Sequence, residues 1–241
     1  MPKIRFYPFS ERSSEFSPEP KLSSRFVPDW YRAQPGHKGD DELIATVGSS
    51  ASTVKRCMPI FDAMTAGYML TAPCDIHLDA TDPEKLSWTI PVQLQQFKAD
   101  MFSFHSPEQY ENYPIDPTTY HKQLFRIMPG WAVGTDEGYS TLFTNPYHTD
   151  NSPLWAFGAI VDTDKFVTDG HLSFLVKKGF KGIIKQGTPL AQIIPFKREA
   201  WESEFVDGKE ARNLFDTQRL WLRSTFLNGY KSKFRSKKEY K

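Results

Sequence analysis

Residues 124–143 read LFRIMPGWAVGTDEGYSTLF, and they have a regular pattern of strand and turn residues. The stretch contains three short runs rich in aromatic, aliphatic or β-branched residues, at 124–127, 131–133 and 140–143, with Pro, Gly and Asp between them. Runs of this length between turn residues predict short strands joined by tight turns. The pattern continues in further short runs, at 157–161, 172–176, 182–184 and 190–195. Strands at this spacing predict a mainly β body, built as a barrel or a jelly-roll-like sandwich.

Upstream of this body, the sequence predicts more strands and one helix. The strand-like runs lie at 68–71, 76–78 and 88–90. Between Thr53 and Ala66 the apolar residues have helical spacing, and Gly67 is placed to end that helix. A shorter helix that begins near Pro59 is the alternative, because proline is tolerated in the first turn of a helix.

The N-terminal segment differs in composition from the body. A strand-like run, IRFY, opens the chain at 4–7, and prolines follow at 8, 18, 20, 28 and 35. Proline fixes φ and removes an amide donor, so residues 1–40 are predicted to form an extended arm.

The C-terminal segment also differs from the body. Residues 209–227 carry apolar side chains at intervals of three and four, which predicts an amphipathic helix that either covers the β body or mediates oligomerisation. The basic tail that follows is either a solvated terminus or a contact for an acidic partner or a nucleic-acid backbone. We therefore expect one domain with three parts, an arm (1–40), a β-rich core (41–200) and a C-terminal helix with a basic tail (201–241).

The composition excludes several classes of protein. The chain has 30 Lys+Arg and 29 Asp+Glu, and a formal charge of +1 argues against nucleic-acid binding by bulk charge. Aromatic residues make up 15% of the chain, enough to fill a core and to exclude disorder throughout. Two cysteines, Cys57 and Cys74, suggest a reducing compartment, and the sequence has no run typical of a membrane helix or a signal peptide. We expect a cytoplasmic protein that does not contact a membrane.

Four segments resemble the motifs of one known superfamily. TAGYML at 65–70, EGYSTL at 137–142, GAIVDTDKF at 158–166 and GTPLAQII at 187–194 resemble, in order, the four motifs of the trimeric dUTPase and dCTP deaminase superfamily in degenerate form. The resemblance spans residues 65–194. It implies a dUTPase-like β-clip barrel, a trimeric assembly and a nucleotide site.

The resemblance implies a candidate ligand site made of Tyr68, Ser140, Asp162, Asp164 and Gln192. In this superfamily Asp162 would orient a water molecule, as the candidate catalytic residue, and Gln192 would contact a base. Asp162 and Asp164 also have a structural interpretation, because aspartates on a turn commonly accept hydrogen bonds from backbone amides.

Other positions depart from the motifs. Met69 stands where the superfamily has an acidic residue near magnesium, and a thioether is a poor ligand for a hard cation. Residues 137–140 lack the Arg–Ser pair that binds phosphate, and Lys165 stands where an aromatic residue would stack on the sugar. The glycine-rich C-terminal motif is missing from the sequence. We therefore expect no cofactor, with Mg²⁺ needed only if the protein acts on nucleotides.

A second resemblance runs nearly the whole length of the chain. FVPDWYR at 26–32, TVKRCMPIFDAMTAGY at 53–68 and PGWAVGTDEGYSTLFTNP at 129–146 resemble a family of uncharacterised proteins of T4-like cyanobacterial phages and some bacteria. This resemblance implies a phage origin, with the host cytoplasm or the virion as the location. It implies no activity.

One short motif suggests a metal site. His148 and Asp150 have the HxD spacing of two ligands in iron- and 2-oxoglutarate-dependent oxygenases. The next histidine, His171, follows sooner than in most such proteins, so an exposed turn is the favoured interpretation; His105 or His121 would have to complete a metal cluster. The sequence has no P-loop, Gly-x-Ser-x-Gly, zinc-finger or His-Glu-x-x-His motif.

The leading hypothesis is a non-enzymatic phage-type accessory protein that serves as a binding or assembly module on a degenerate dUTPase-like scaffold. Its partner would be another protein or further copies of the chain, with a trimer implied by the resemblance. The alternative is a divergent nucleotide-processing enzyme, hydrolase-like or deaminase-like, that uses Asp162 and Gln192. The third alternative is an iron and 2-oxoglutarate-dependent oxygenase.

Overall fold

The computed structural model describes residues 1–10, 12–38, 53–149, 152–167, 172–224 and 229–241. The strands are β1 (Ile4–Pro8), β2 (Lys21–Leu22), β3 (Tyr68–Thr71), β4 (Ile76–Asp79), β5 (Ser87–Thr89), β6 (Phe102–Phe104), β7 (Phe125–Ile127), β8 (Trp131–Thr135), β9 (Tyr139–Thr144), β10 (Leu154–Ala156), β11 (Ala159–Val161), β12 (Leu172–Val176), β13 (Lys181–Ile184) and β14 (Pro189–Lys197). The α-helices are α1 (Ser13–Phe16), α2 (Asp29–Ala33), α3 (Met58–Thr65), α4 (Lys98–Met101) and α5 (Gly208–Ser224).

The described strands form four antiparallel sheets. The largest has the order β11-β9-β14-β3-β2, and the next has the order β10-β12-β7-β6. A three-stranded sheet has the order β13-β4-β5, and β1 pairs with β8 in the smallest. The expectation of a mainly β fold is confirmed.

The sheets form a core because apolar residues alternate with less buried ones along the strands. In β4, Ile76 and Leu78 are buried while His77 between them is exposed. In β7, Phe125 and Ile127 are completely buried, and Arg126 between them is only partly buried. This alternation with a period of two places one face of each strand in the core, where burial of large apolar side chains stabilises the fold.

Most predicted strands are present, with bounds that differ by one or two residues. The sequence pattern does not predict β2, β6 or β10, because each has only two or three residues and is defined by its pairing with a neighbour. The shorter of the two predicted helices is correct. α3 begins at Met58, so Pro59 lies in its first turn, and a separate 3₁₀ turn occupies Val54–Arg56.

Gly67 allows β3 to approach β14 closely. Its φ is +66°, a left-handed conformation that glycine adopts without strain. A Cβ at this position would lie 1.9 Å from the carbonyl oxygen of Ile193, inside any allowed contact distance. The glycine predicted to end the helix therefore also sets the pairing of the two strands.

The N-terminal segment is more ordered than an extended arm requires. β1 pairs with β8 along its whole length, from Ile4 opposite Thr135 to Pro8 opposite Trp131. β2 pairs with β3, and the short helices α1 and α2 lie in the same segment. The prolines of this segment therefore separate short strands and helices, and the segment still forms regular secondary structure.

The chain divides into two compact units. One contains Met1–Phe26 and Met64–Arg198, with all of the strands described here; the other contains Val27–Ala63 and Glu199–Lys241. These limits differ from the predicted division of one domain into 1–40, 41–200 and 201–241. That division stays a prediction.

The second unit has its own contacts between distant parts of the chain. Tyr31 is buried, its hydroxyl donates to the carbonyl of Lys55 at 3.2 Å, and its ring stacks on that of Phe61. Asp62 of α3 binds two cations of the tail, Arg235 at 2.6 Å and Lys238 at 2.9 Å. In the described tail, part of the basic charge is thus neutralised within the chain.

The amphipathic helix predicted at 209–227 is present as α5. Residues 225–228, the end of that prediction, lie outside the described residues. Leu214 and Phe215 of the apolar stripe are each more than half exposed. Among the described residues, no helix has the length and hydropathy to span a bilayer.

Candidate functional site

Two strands and one turn bring four polar side chains together. β9 pairs with β11, with Thr141 opposite Val161, so Asp162 begins the turn beside Ser140. β9 also pairs with β14, with Ser140 opposite Phe196, and the amide of Arg198 donates to the carbonyl of Gly138 just beyond that ladder. The polar cluster formed by Ser140, Asp162, Asp164 and Arg198 is the candidate site.

Arg198 and Asp164 form the centre of the polar cluster. Nη1 of Arg198 donates to Oδ1 of Asp164 at 2.8 Å, and Nη2 donates to Oδ2. The same Oδ2 accepts from the amide of Gly138 at 2.8 Å, and the Asp164 side chain is only 3% exposed. The guanidinium, with a smaller contribution from the Gly138 amide, holds the pKa of Asp164 well below its usual range.

Arg198 has further partners through one of the nitrogens that bind Asp164. Nη1 also donates to the carbonyl of Tyr139 and to Oγ of Ser140, both at 3.0 Å. A cation thus lies beside Ser140, although the second motif lacks one. It comes from the end of β14 and is already paired with Asp164.

Asp162 is the accessible carboxylate of the polar cluster. Oγ of Ser140 donates to Oδ1 of Asp162 at 2.6 Å, and Nη1 of Arg198 lies 3.4 Å from the same oxygen. The Asp162 side chain is 54% exposed. It can accept further hydrogen bonds from a ligand or a partner.

The turn that carries both aspartates is held in place by hydrogen bonds of the buried residue between them. Oγ1 of the buried Thr163 lies 2.7 Å from Oγ1 of Thr135 and 2.8 Å from Oγ1 of Thr141. The carbonyl of Asp162 accepts from the amides of Lys165 and Phe166, each at 2.9 Å. Because Thr163 points inward, its neighbours Asp162 and Asp164 are held toward Arg198.

The structure places Gln192 and Tyr68 apart from the polar cluster. Gln192 is fully buried in β14; its Nε2 donates to the carbonyl of Ala66 at 2.7 Å and its Oε1 accepts from the amide of Tyr147 at 3.2 Å. Tyr68 is buried in β3, where its ring meets that of Phe6 edge-on. Both side chains contribute to packing in this conformation.

The HxD residues are only partly described. His148 lies in a turn with a φ of +57°, and its ring lies beside that of Tyr147. Asp150 and His171 lie outside the described residues. The described part of the chain contains no group of three or more His, Cys, Asp or Glu that could hold a metal ion.

The polar cluster favours a ligand that donates hydrogen bonds over one that is negatively charged. Its cation is bound to the buried carboxylate of Asp164, and its exposed group is the carboxylate of Asp162. An approaching phosphate would be repelled by that exposed charge, whereas an amine, a guanidinium or a backbone amide would be attracted.

Exposed apolar side chains flank the two aspartates of the polar cluster along the chain. Ile160 of the edge strand β11 is 66% exposed, and Phe166 at the end of the turn is 63% exposed. Val167 follows it and is 51% exposed. Large apolar groups clustered on a surface are typical of contacts with another macromolecule.

Comparison with known proteins finds similar chains among the solved structures. A variant dUTPase from phage phi11 of S. aureus is similar at 13% sequence identity and a TM-score of 0.34, covering 85% of this chain and 97% of that chain. No family model and no curated protein matches the chain. A likeness this distant carries no argument about function, and the mainly β architecture rests on the sheets themselves.

Proposed function

We propose that this protein is an accessory protein that acts as a binding or assembly module and does not process nucleotides. The observation that carries the proposal is the ion pair between Arg198 and Asp164. Because the guanidinium beside Ser140 is already bound to this carboxylate, it is not available to a phosphate. A phosphate would have to displace that carboxylate, which is almost fully buried and also bound to a backbone amide.

The contact surface in this proposal is the edge strand β11 with the turn that follows it. Its exposed residues combine apolar side chains, Ile160, Phe166 and Val167, with the carboxylate of Asp162. An edge strand also offers backbone groups for pairing with another strand. Since a trimer is implied by the dUTPase resemblance, a second copy of this chain is the partner that we propose.

Sedimentation over the micromolar concentration range tests this proposal. Wild-type protein is expected to self-associate, and Phe166→Glu is expected to shift it toward the monomer because it adds a charge to the contact surface. The matched control is Phe205→Glu, since Phe205 is 98% exposed and is not in the contact surface. Wild-type protein that stays monomeric at every concentration, or equal loss of association in both variants, would overturn the proposal.

A divergent nucleotide-processing enzyme is the second candidate. The observation that favours it is the accessible Asp162 carboxylate, oriented by the hydroxyl of Ser140 at 2.6 Å. This candidate requires that a nucleotide with Mg²⁺ raises the melting temperature of the wild-type protein and that Asp162→Asn weakens this effect. A flat response to all deoxynucleoside triphosphates would exclude it.

A further inference from the structure

His105 lies between two side chains that contact its two ring nitrogens. Nε2 is 2.8 Å from Oγ of Ser173, and Nδ1 is 2.9 Å from Oε1 of Gln109. Ser173 lies in β12, His105 directly follows β6, and Gln109 lies in a 3₁₀ turn, Pro107–Tyr110. A hydroxyl, an imidazole and an orienting group in this order form the arrangement that activates serine nucleophiles.

The hydrogen bonds of Gln109 fix the direction of proton donation. Its Oε1 also accepts from the amide of Ser106 at 3.2 Å, and because that amide can only donate, the oxygen of the side chain must face this turn. The oxygen can only accept, so neutral His105 carries its proton on Nδ1. Nε2 is then an acceptor, and the hydroxyl of Ser173 donates to it.

The sheet holds Ser173 with its side chain away from the core. Its neighbours Leu172 and Phe174 are buried, and successive side chains of a strand point to opposite faces. The carbonyl of Ser173 accepts from the amide of Phe157 at 3.0 Å. On the other side of the hydrogen bond, the amide of His105 donates to the carbonyl of Leu124 at 3.3 Å. Both partners are therefore positioned by backbone pairing.

A cation lies on the strand next to the serine. Arg126 of β7 is directly opposite Ser173 in the sheet register, and directly opposite residues have Cβ atoms about 4.5–5.5 Å apart. Within the described chain, Nε of Arg126 is buried and has no hydrogen-bond partner. An unpaired buried donor is costly, and it is suited to stabilise a negative oxygen that forms beside the serine.

Aromatic rings form an apolar surface next to His105. The ring of Tyr110 meets the imidazole edge-on at 5.0 Å, and Phe157 lies 5.8 Å from Tyr110 and 4.9 Å from Tyr113. Tyr113 is 49% exposed, so this surface is open to solvent on one side. Such rings favour a ligand group that is flat and apolar.

We propose that Ser173 is a nucleophile activated by His105 and that it cleaves small activated esters with a flat apolar acyl group. Oγ of Ser173 bonds to the ester carbonyl carbon, its proton passes to Nε2 of His105, and Arg126 stabilises the carbonyl oxygen as it gains charge. The bond to the alcohol oxygen then breaks, and His105 returns the proton to the departing alkoxide. Water hydrolyses the Ser173 ester by the same route, so that ester and water give acid and alcohol.

This inference goes beyond the proposed function, and it concerns the β10-β12-β7-β6 sheet, whereas the polar cluster lies at β9, β11 and β14. Gln109 is a positioning residue in it, because Gln109 acts only through His105. Self-association of the protein and reactivity of Ser173 are measured separately, so the failure of one proposal leaves the other standing.

Labelling with a fluorophosphonate and hydrolysis of p-nitrophenyl benzoate test the inference. The expected result is one phosphonyl adduct per chain, located at Ser173 by peptide mass spectrometry, with release of fluoride. Ser173→Ala should abolish both reactions, and His105→Gln should slow them about a hundredfold or more, as expected for loss of a general base. Ser103→Ala is the matched control, because Ser103 lies on β6 on the other side of Arg126.

Circular dichroism of each variant shows whether it is folded, and Ser173→Cys provides a second variant that keeps a nucleophile at the position. Folded wild-type protein without an adduct at Ser173 would overturn the inference. Equal rates for wild type and folded His105→Gln would also overturn it, since Ser173 would then react without the imidazole.

Discussion

Arg198 and Asp164, which are 34 residues apart in sequence, form a two-point ion pair that connects the end of β14 to the turn after β11. The pair uses both oxygens of the carboxylate, and a backbone amide supplies a further donor to it. It fixes the turn from which Asp162 projects. The polar cluster therefore connects β14 to this turn and leaves one carboxylate, that of Asp162, accessible.

Replacing Asp164 with Asn is expected to lower the melting temperature, because it leaves the charge of Arg198 without its main partner. The matched control is Asp162→Asn. Its carboxylate is 54% exposed and lies farther from the guanidinium, so a smaller decrease is expected. Thermal denaturation at neutral pH measures the melting temperatures of both variants. Equal decreases would show that Asp164 is not the main partner of Arg198.

The same ion pair predicts how stability depends on pH. The pKa of Asp164 in the folded protein lies below that of an unfolded Asp, which is about 3.9. Its contribution is therefore complete above the unfolded pKa and is lost as the pH falls through the folded pKa. The difference in melting temperature between wild type and Asp164→Asn should be constant from neutral pH to about pH 5 and should shrink below it. A difference that grows on acidification would have the wrong sign.

Gly67→Ala is expected to destabilise the first unit strongly, because the new Cβ would collide with the carbonyl of Ile193. Gly138→Ala separates this collision from backbone strain. Gly138 has a φ of +85° but no atom within 4 Å of the added Cβ, so it should cost only about 1–2 kcal/mol. Urea denaturation gives both free energies of unfolding. Similar values for the two variants would show that contact with β14 is not the dominant effect.

The tail of the second unit is held by Asp62, whose side chain is 10% exposed. Hydrogen bonds from Arg235, the largest cause, and from Lys238 lower the pKa of Asp62. Asp62→Asn should therefore speed tryptic cleavage after Lys233 and Arg235, measured by mass spectrometry over time. The control is Glu239→Gln, which removes only an exposed pair with Lys237. Unchanged cleavage in Asp62→Asn would show that these ion pairs do not hold the tail.

The fold could be largely predicted because its strands are local patterns. The alternation at 124–143 and the turn residues between its runs define β7, β8 and β9 without knowledge of their partners. β10 could not be predicted in this way, since Trp155 and its two neighbours become a strand only through pairing with β12. Short edge strands depend on the sheet that they join.

The polar cluster could be predicted only in part. Ser140, Asp162 and Asp164 follow from their motifs, but Arg198 lies beyond the fourth motif and reaches Ser140 through the register of β14 with β9. The available signal was its position just after the predicted strand at 190–195. For Gln192 the motif identified the residue but not its surroundings. The sequence does not show that its side-chain amide is buried and bonded to two backbone groups. Its role in base contact stays a prediction.

The Ser173 site has an even weaker sequence signal. His105 and Gln109 are four residues apart, but Ser173 is 68 residues away from His105. Only the strand order β10-β12-β7-β6 brings the serine beside the imidazole and the guanidinium of Arg126.

Hydrolysis of deoxynucleoside triphosphates by the purified protein with Mg²⁺ shows whether the polar cluster has a catalytic role. If the polar cluster is a structural connection at a contact surface, wild type and Asp162→Ala will release phosphate or pyrophosphate at the same background rate. Saturable, Mg²⁺-dependent turnover by wild type that is lost in folded Asp162→Ala would establish a nucleotide-processing enzyme and overturn the proposed function.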